Sequence, residues 1–449
     1  MIQRFTSLFL FILIPFLTVA QSSITVEDAV QIALENNYQL KQAANNLELA
    51  DMEVMSAYTD FIPTLNASFN GNQRVGQQFD PSSFTFGDLT INSMSGGLSS
   101  SVPIFNGFRN INNLRRAETQ RSFQEETLER LRQNIIFTTA SRFLQVVLNQ
   151  ELLEISQRNL SVSMQQLERI EAQVEVGARP TVDLLNQASV VANDELAVVQ
   201  RENALTTSMA QLMRVMQDDQ GTNYQLIMPE TEQLSLIPMD LDLNELVQMA
   251  LQARSDLKAQ TLAIERAEYD RSIVRATLLP SINANFGMNG SYSDQYRDPI
   301  SREPLGFSEQ FFDRNVNRFI GFNVQIPIFN NLNRRTNYQQ AQINLRNSRL
   351  ELDNVRFQIN EEVRQAYNDY ISIVQELEST EKALTAAERA YVTEQQRYEV
   401  GASTLIELNQ ANANFVLAQS NRIQAVYNFV FQEKVLDFFL GRLTDTIEL

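Results

Sequence analysis

The stretch Phe61–Asn70 reads "FIPTLNASFN", and 217 residues later Leu278–Gly287 reads "LLPSINANFG". In each, a proline closes what precedes it and an alternation begins behind it. The second version continues to Tyr292 as "SINANFGMNGSY". Ile282, Ala284, Phe286, Met288, Gly290 and Tyr292 share one parity, and the intervening positions are all Ser, Asn or Gly. A period of two is the mark of a strand with one apolar face. Leu65, Ala67 and Phe69 alternate in the same way with Asn66, Ser68 and Asn70. So do Ile320, Phe322, Val324, Ile326 and Ile328 with Gly321, Asn323 and Gln325.

Two readings of these strands stay open at this point. An uncharged polar face suits a water-filled barrel lumen, with the apolar face toward lipid. A half-buried sheet of ordinary kind fits equally well. The runs of about 10–12 residues match a tilted transmembrane strand. Four strands cannot close a barrel, and open edges are not tolerated in lipid, so the membrane reading requires several chains to share one barrel.

The chain is a tandem duplication. "VQIALENNYQLK" (Val30–Lys41) returns as "VQMALQARSDLK" (Val247–Lys258) at an offset of 217. "VPIFNGF" (Val102–Phe108) returns as "IPIFNNL" (Ile326–Leu332) at 224, so the second copy carries seven extra residues between Gly287 and Ile326. Each copy is predicted to open with a helix, over 26–58 and 243–277, ended by Pro63 or Pro280. Strands follow at about 64–75 and 94–105, and at about 281–292 and 316–329. The loops at 76–93 and 293–315 read as long, polar and irregular. Asn106 and Asn330 are suitable N-caps for very long helices. Residues 218–240 read as a strand-and-loop connector between repeat 1 (21–217) and repeat 2 (241–449).

After Gly107 the first long helix meets no glycine or proline until Gly177, and the second meets none from Asn330 until Gly401. Each would be on the order of 100 Å long. Apolar residues recur at heptad spacing: Val363, Tyr367, Tyr370, Val374 and Leu377, then Leu384, Tyr391 and Tyr398. The first copy has Leu144, Leu148, Leu152 and Ile155, then Leu160, Met164 and Leu167. That is coiled-coil packing.

Composition excludes several classes of function. With no cysteine and no histidine there is no disulfide framework, no Ser-His-Asp or Cys-His catalysis and no histidine metal site. No glycine-rich phosphate loop is present. No cofactor or metal is expected, and the protein is not expected to be an enzyme. A net charge of −18 argues against nucleic acid as a partner. Arg4, the apolar run Leu8–Leu17 and "TVA" ending at Ala20 predict a signal peptide over 1–20. Its removal takes one base and no acid, moving the charge from −18 to −19.

Taken together, a signal peptide, a duplicated helix–strand–strand–helix unit, "P-x-[LI]-N-A-x-F", "[VI]-P-I-F-N" and a "VGA" break before "[DE]-L" resemble the TolC family of outer membrane factors over essentially the whole mature chain. The resemblance implies a mainly α fold with a membrane β-barrel. Four strands from each chain of a homotrimer would make a 12-stranded barrel in outer membrane lipid, continued by a periplasmic α-barrel of coiled coils. It implies passive exit of efflux or type I secretion substrates, in partnership with a periplasmic adaptor and an inner-membrane transporter. Two other classes stand beside it: a periplasmic coiled-coil adaptor, which would carry a compact β-barrel and a lipoyl-like domain, and a carboxylate-dependent envelope hydrolase, for which no cleft is apparent.

The glycine breaks lie in "VEVGARPTVDLLNQA" from Val174 and "YEVGASTLIELNQA" from Tyr398. By resemblance they are periplasmic tips, and Val176, Gly177, Ala178, Val400, Gly401 and Ala402 receive the adaptor. A local reading is also available: glycine ends helices in the left-handed conformation. Asp183 and Glu407 correspond to each other, and the resemblance places Glu407 in a ring at the entrance constriction. Alternatively Thr404–Glu407 is a capping box and Asp183 answers a helix N-terminus. Where better-known members have a second acid this chain has Gln410, and where they have an arginine in the second copy it has Ser403. Arg179 in the first copy is expected to bond an acid of the other copy, and Tyr398 to join the closing network.

Overall fold

The computed structural model describes residues 22–80, 84–218, 224–227 and 242–443. The signal peptide predicted over 1–20, and most of the predicted connector, lie outside these residues. In chain order the elements are β1 (Ser22–Ile24), α1 (Val26–Asn36), α2 (Tyr38–Thr59), β2 (Thr64–Asp80), β3 (Thr85–Phe105), α3 (Arg109–Glu175), α4 (Thr181–Met216) and β4 (Tyr224–Leu226). Then come α5 (Leu243–Ala253), α6 (Ser255–Ala276), β5 (Ser281–Ser293), a short α7 (Phe307–Glu309) running into a π-turn over Gln310–Arg314, β6 (Asn317–Gln325), α8 (Asn333–Glu399) and α9 (Leu405–Phe439). The chain is mostly helical. No helix among the described residues is long and apolar enough to cross a membrane.

The chain divides into two compact units. One comprises residues 39–131 and 251–361 and contains the sheet. Its strands run in the order β2-β3-β5-β6, every neighbour antiparallel, so β2 and β6 are free edges. The register places like parities opposite each other: Phe69 faces Gly96, Gly96 faces Gly290, Leu98 faces Met288, and Phe286 faces Ile320. One face therefore carries the apolar set of all four strands, and the other carries Asn, Ser and Gly. Phe319 on β6, and Arg74, Leu89 and Ile91 in the outer hairpin, are exceptions on the polar face. Phe319 lies over Gly287, where an added Cβ would meet its ring at 2.5 Å. The strands form one open sheet and not the compact barrel of an adaptor.

The strand boundaries differ from the pattern reading. The expected loop at 76–93 is largely ladder, since β2 and β3 stay paired out to Asp80 and Thr85. Alternation weakens there, and backbone bonding with the Phe79–Phe86 ring contact at 5.5 Å continues the hairpin. The return strand of the second copy stops at Gln325, before the expected Ile326 and Ile328, because Pro327 has no N–H for a ladder. In the first copy the register slips between Pro103 and Phe105.

Asn106 and Asn330 do not cap the long helices directly. Two consecutive left-handed residues follow each of them, Gly107–Phe108 and Asn331–Leu332, and the helices start at Arg109 and Asn333. Asn106 still accepts the Asn110 N–H through its side chain at 3.4 Å, from outside the helix. The opening helix of each copy is also broken, at Asn37 and at Arg254, again 217 residues apart. Both residues are buried in extended conformation, and a single extended residue suffices to redirect a helix.

The other unit comprises residues 1–38, 132–250 and 362–449. Here β1 pairs with β4 in parallel, and Thr25 starts α1 through a capping box with Asp28. On the part of the 67-residue helix α8 in this unit, the residues Val363, Ala366, Tyr370, Ile373 and Leu377 are buried in alternating steps of three and four. On α3, Ile136, Ala140, Phe143 and Val147 repeat that stepping. This is a coiled-coil seam. Farther along α3 the seam runs through Ser163 and Ile170, leaving the expected Met164 51% exposed. Aromatic pairs reinforce the hairpins, with Tyr370 and Phe429 at 5.8 Å and Tyr391 stacked on Phe415 at 5.5 Å.

Phe143 is fully buried, so Phe143→Ala opens a cavity in the seam. It is expected to destabilise the protein by about 3–5 kcal/mol, read as a lowered midpoint of thermal loss of helical circular dichroism in detergent. An unchanged midpoint would contradict a close-packed seam.

Candidate functional site at the helical tips

The turns at 176–180 and 400–404 are built alike. Gly177 and Gly401 have φ of +76° and +74°. The Gly177 N–H donates to Val174 O at 2.9 Å and the Ala178 N–H to Gln173 O at 2.8 Å. Gly401 donates to Tyr398 O at 3.1 Å and Ala402 to Arg397 O at 2.7 Å. These are Schellman closures, in which the left-handed residue lets the chain satisfy the last helical carbonyls. Nothing lies within 4 Å of a Cβ added to either glycine. Glycine is needed there for its conformation, and the surface above it is open.

The apolar residues of both tips point outward. Val176 is 77% and Val400 79% exposed. Val182 and Ile406, which correspond at the same offset, are exposed as well, as is Leu185. The sequence reading missed these three because each also fits the apolar pattern of a helix start.

The second helix of each hairpin begins differently in the two copies. Thr404 caps α9 by a capping box: its hydroxyl accepts the Glu407 N–H at 3.2 Å, and the Glu407 carboxylate accepts the Thr404 N–H at 2.8 Å. That backbone bond, with the Thr404 and Ser403 hydroxyls, holds the Glu407 carboxyl below the usual carboxylate range. The Ser403 hydroxyl lies 3.0 Å from Glu407 and 2.6 Å from Glu394, and Glu394 also pairs with Arg397 at 2.5 Å. Gln410 is exposed and donates to Asn414 at 3.1 Å. In the first copy Pro180 gives no side-chain cap, and Asp183 in the first turn pairs with Arg179 at 3.4 Å. The acid that Arg179 meets is thus in its own copy. Its contact with the other copy is aromatic: the guanidinium lies 4.6 Å over the Tyr398 ring, a cation–π geometry.

Behind this contact lies a cavity of about 370 Å³, bordered by Asn159, Gln187, Asp194, Tyr391 and Tyr398. Polar bonds cross between the hairpins here. Asn412 donates to Asn159 at 2.8 Å and Asn409 donates to Gln187 at 3.1 Å; Gln187, 1% exposed, in turn donates to Ser163 O of its own hairpin at 3.1 Å. The Tyr398 hydroxyl and Asp194 Oδ2 are buried with no hydrogen-bond partner. Burial pushes the Asp194 carboxyl up, partly offset by Ser163 and Asn159. Near the tips the two copies are therefore joined by amides and a void rather than an apolar seam. Gln187 and Gln410 occupy the same place in "NQA", yet only Gln187 enters this junction. An extra residue, Leu185, separates Asp183 from its "NQA" and turns the helix by about 100°.

The family model described as outer membrane efflux protein matches residues 29–216 and 246–442. The chain is 23% identical over 426 residues to the outer membrane efflux protein BepC of Brucella suis, covering 95% of this chain and 87% of that protein. It is also 23% identical over 433 residues to the outer membrane protein TolC of Vibrio cholerae, covering 94% and 93%. Among solved structures, the Campylobacter jejuni CmeC outer membrane channel superposes with a TM-score of 0.80 at 17% identity, covering 94% of this chain and 87% of that one. At these identities the structural likeness establishes the fold.

The capping box separates two roles of Glu407. Glu407→Ala removes the carboxylate arm of the capping box but leaves the Thr404 hydroxyl on the backbone N–H, and it is expected to lower thermal stability; Glu407→Gln keeps the arm's shape without its charge and is expected to fall between that variant and wild type. Because the folded-state carboxyl titrates low, the stabilisation is present above the unfolded pKa and is lost as pH falls through the folded value. The gap between wild type and Glu407→Ala in thermal melts should accordingly close in acid. A gap that widens there would exclude the cap.

Proposed function

The chain belongs to the outer membrane efflux protein family, and on that footing we propose that three copies form a passive exit duct, opened at its helical tips by a periplasmic adaptor and fed by an inner-membrane transporter. Proteins of this family reside in the outer membrane and reach into the periplasm, and they are channels rather than enzymes. The duct performs no chemistry; the transporter supplies the energy.

The observation that carries this reading is the open sheet. Its two faces differ in polarity, and its edges β2 and β6 are unpaired. In lipid such edges must be satisfied. The strands β2 and β6 run in opposite directions, so β6 of one copy can continue antiparallel onto β2 of the next, and any ring of copies closes with an even strand number. Three copies give twelve strands, a barrel wide enough to enclose a polar channel. The Asn/Ser/Gly face then lines the lumen and the apolar face meets lipid. Unheated electrophoresis of outer membranes should show a heat-modifiable trimer.

The exposed valines and open glycines support docking of a partner's helices on Val176, Gly177, Ala178, Val400, Gly401 and Ala402, since a contiguous exposed apolar patch marks an interaction surface. Val176→Asp combined with Val400→Asp should abolish export, read as sensitisation of cells to dyes and detergents, while trimer level in the outer membrane is unchanged. Export at the wild-type level would reject the docking role.

At the mouth, three Glu407 carboxylates form a cation-attracting ring, weakened because Gln410 stands where a second acid would add charge. Arg179, held by Asp183 of its own hairpin, tethers it to the second hairpin through Tyr398. Arg179→Ala should raise single-channel conductance in planar bilayers, and Glu407→Gln should lower cation preference in a salt gradient. Conductance unchanged by the first, or selectivity unchanged by the second, would remove that residue from the entrance.

A further inference from the structure

The second surface loop is folded onto the apolar face of the sheet. A Cβ on Gly290 would lie 2.2 Å from the Phe311 carbonyl oxygen, and one on Gly96 would lie 2.8 Å from the Phe69 ring and 3.0 Å from that of Phe311. These two glycines sit opposite each other in the ladder, so they form a shallow bed into which the loop backbone settles. Buried Gln310 fastens it there. Its Nε2 donates to Ser293 O at 3.1 Å and to Leu305 O at 2.8 Å, and its Oε1 accepts the Ser293 N–H at 3.0 Å. The side-chain amide thus takes the place of a ladder partner at the end of β5. Asn315 donates to Ser291 O at 3.0 Å. The outer part of the loop is tied by Arg314, which pairs with Asp298 at 2.7 Å and Glu309 at 2.9 Å. Two backbone N–H groups, from Ser301 and Ile300, and then Arg314 hold the Asp298 carboxyl down at about 2.

The loop brings a cluster of aromatic rings to that face. Phe311 lies 6.0 Å from Phe69, 5.0 Å from Phe307 and 5.0 Å from Phe312, and Phe307 lies 5.5 Å from Tyr292. Under them remains a cavity of about 400 Å³, bordered by Phe69, Leu98, Met288, Phe312, Val316 and Arg318. Its walls are largely apolar, with Ser68 and a single charge among them. Arg318 projects from the apolar face of β6, opposite Met288, and makes no ion pair or hydrogen bond among the described residues. On a lipid-facing surface an arginine costs about 2–4 kcal/mol at the midplane and about 0–1 near the interface. Arg318 is the second residue of β6, at the loop end of that strand, and stands beside Met288 in the middle of β5.

We propose that this cavity takes an acyl chain of an anionic, phosphate-bearing lipid of the surrounding membrane, with the Arg318 guanidinium on its phosphate. The shape supplies an apolar slot of small-molecule size. The lone cation at its rim supplies a partner for the headgroup, and an Arg–phosphate contact is a charge-assisted bond of the stronger kind. The loop is therefore a lipid clamp on the barrel wall as well as a surface feature. The inference rests on the reading of the apolar face as the lipid-facing one.

The test uses the full-length assembled channel exchanged from detergent into dioleoylphosphatidylglycerol or dioleoylphosphatidylcholine, with retained lipid counted by native mass spectrometry. Wild type should keep phosphatidylglycerol, up to one per chain, in preference to phosphatidylcholine. Arg318→Gln should weaken phosphatidylglycerol retention about tenfold. Val316→Phe, which fills the slot, should lower retention of both lipids. Equal retention of the two lipids by wild type, or retention unchanged in both variants, overturns the proposal. A label on Ile320→Cys, in a chain that has no other cysteine, isolates the premise. Quenching of that label by brominated acyl chains with unaltered lipid retention sinks the clamp alone. Absence of quenching sinks the lipid-facing assignment beneath it.

Discussion

An unpaired strand edge is the constraint on which the rest of this structure depends. The sheet ends on both sides in a row of free N–H and C=O groups, and a bilayer offers nothing to bond them. A single chain cannot satisfy them. The duplication supplies strands in pairs, so that each copy of the unit adds an even number and a contact that closed the ring would be antiparallel. Once closure is by identical chains, every helix that leaves the sheet is repeated about the same axis. Within one chain the helices already pack by a heptad seam through Val363, Tyr370 and Leu377, and the closure proposed above would repeat that packing about the barrel axis.

The seam is not uniform. Its middle is apolar and close-packed, around Phe143 and Tyr370, whereas its tip end holds amides, a void and a carboxyl that burial makes reluctant to ionise. An apolar contact loses its full stabilisation when parted, but amides and acids regain water. On the function proposed above, the end that would yield to a partner is the end joined by groups that water can replace.

What the sequence reveals follows from range. Period-two strands, prolines that end helices and glycines that reverse them are local, and they were readable at Pro63, Pro280, Gly177 and Gly401. The repeat itself was readable because the same local devices recur at fixed offsets. What escaped depends on distant partners. The outer part of the β2–β3 hairpin has little alternation and is held by its ladder. Asn37 and Arg254 look like ordinary helix residues, and only burial in their extended conformation breaks the helix. Phe108 and Leu332 adopt the left-handed region that bulky residues disfavour, which moved the helix starts past Asn106 and Asn330. Gln187 and Asp194 acquire meaning only across the two copies, and Arg318 only once the loop lies beside it.

The single extra leucine at position 185 has a consequence for symmetry. If the two copies were equal, a trimer would present six equivalent tips and its lower rim would be six-fold. The inserted residue rotates everything beyond it by more than a quarter turn relative to the second copy, and this adds to a difference that precedes it, one tip being capped by Thr404 and Glu407 and the other clasped by Arg179 and Asp183. A ring of six identical partner helices would have to bind in two modes, with two affinities. On the function proposed above, a partner complex would be a trimer of unlike pairs, and its assembly would proceed in two steps rather than one.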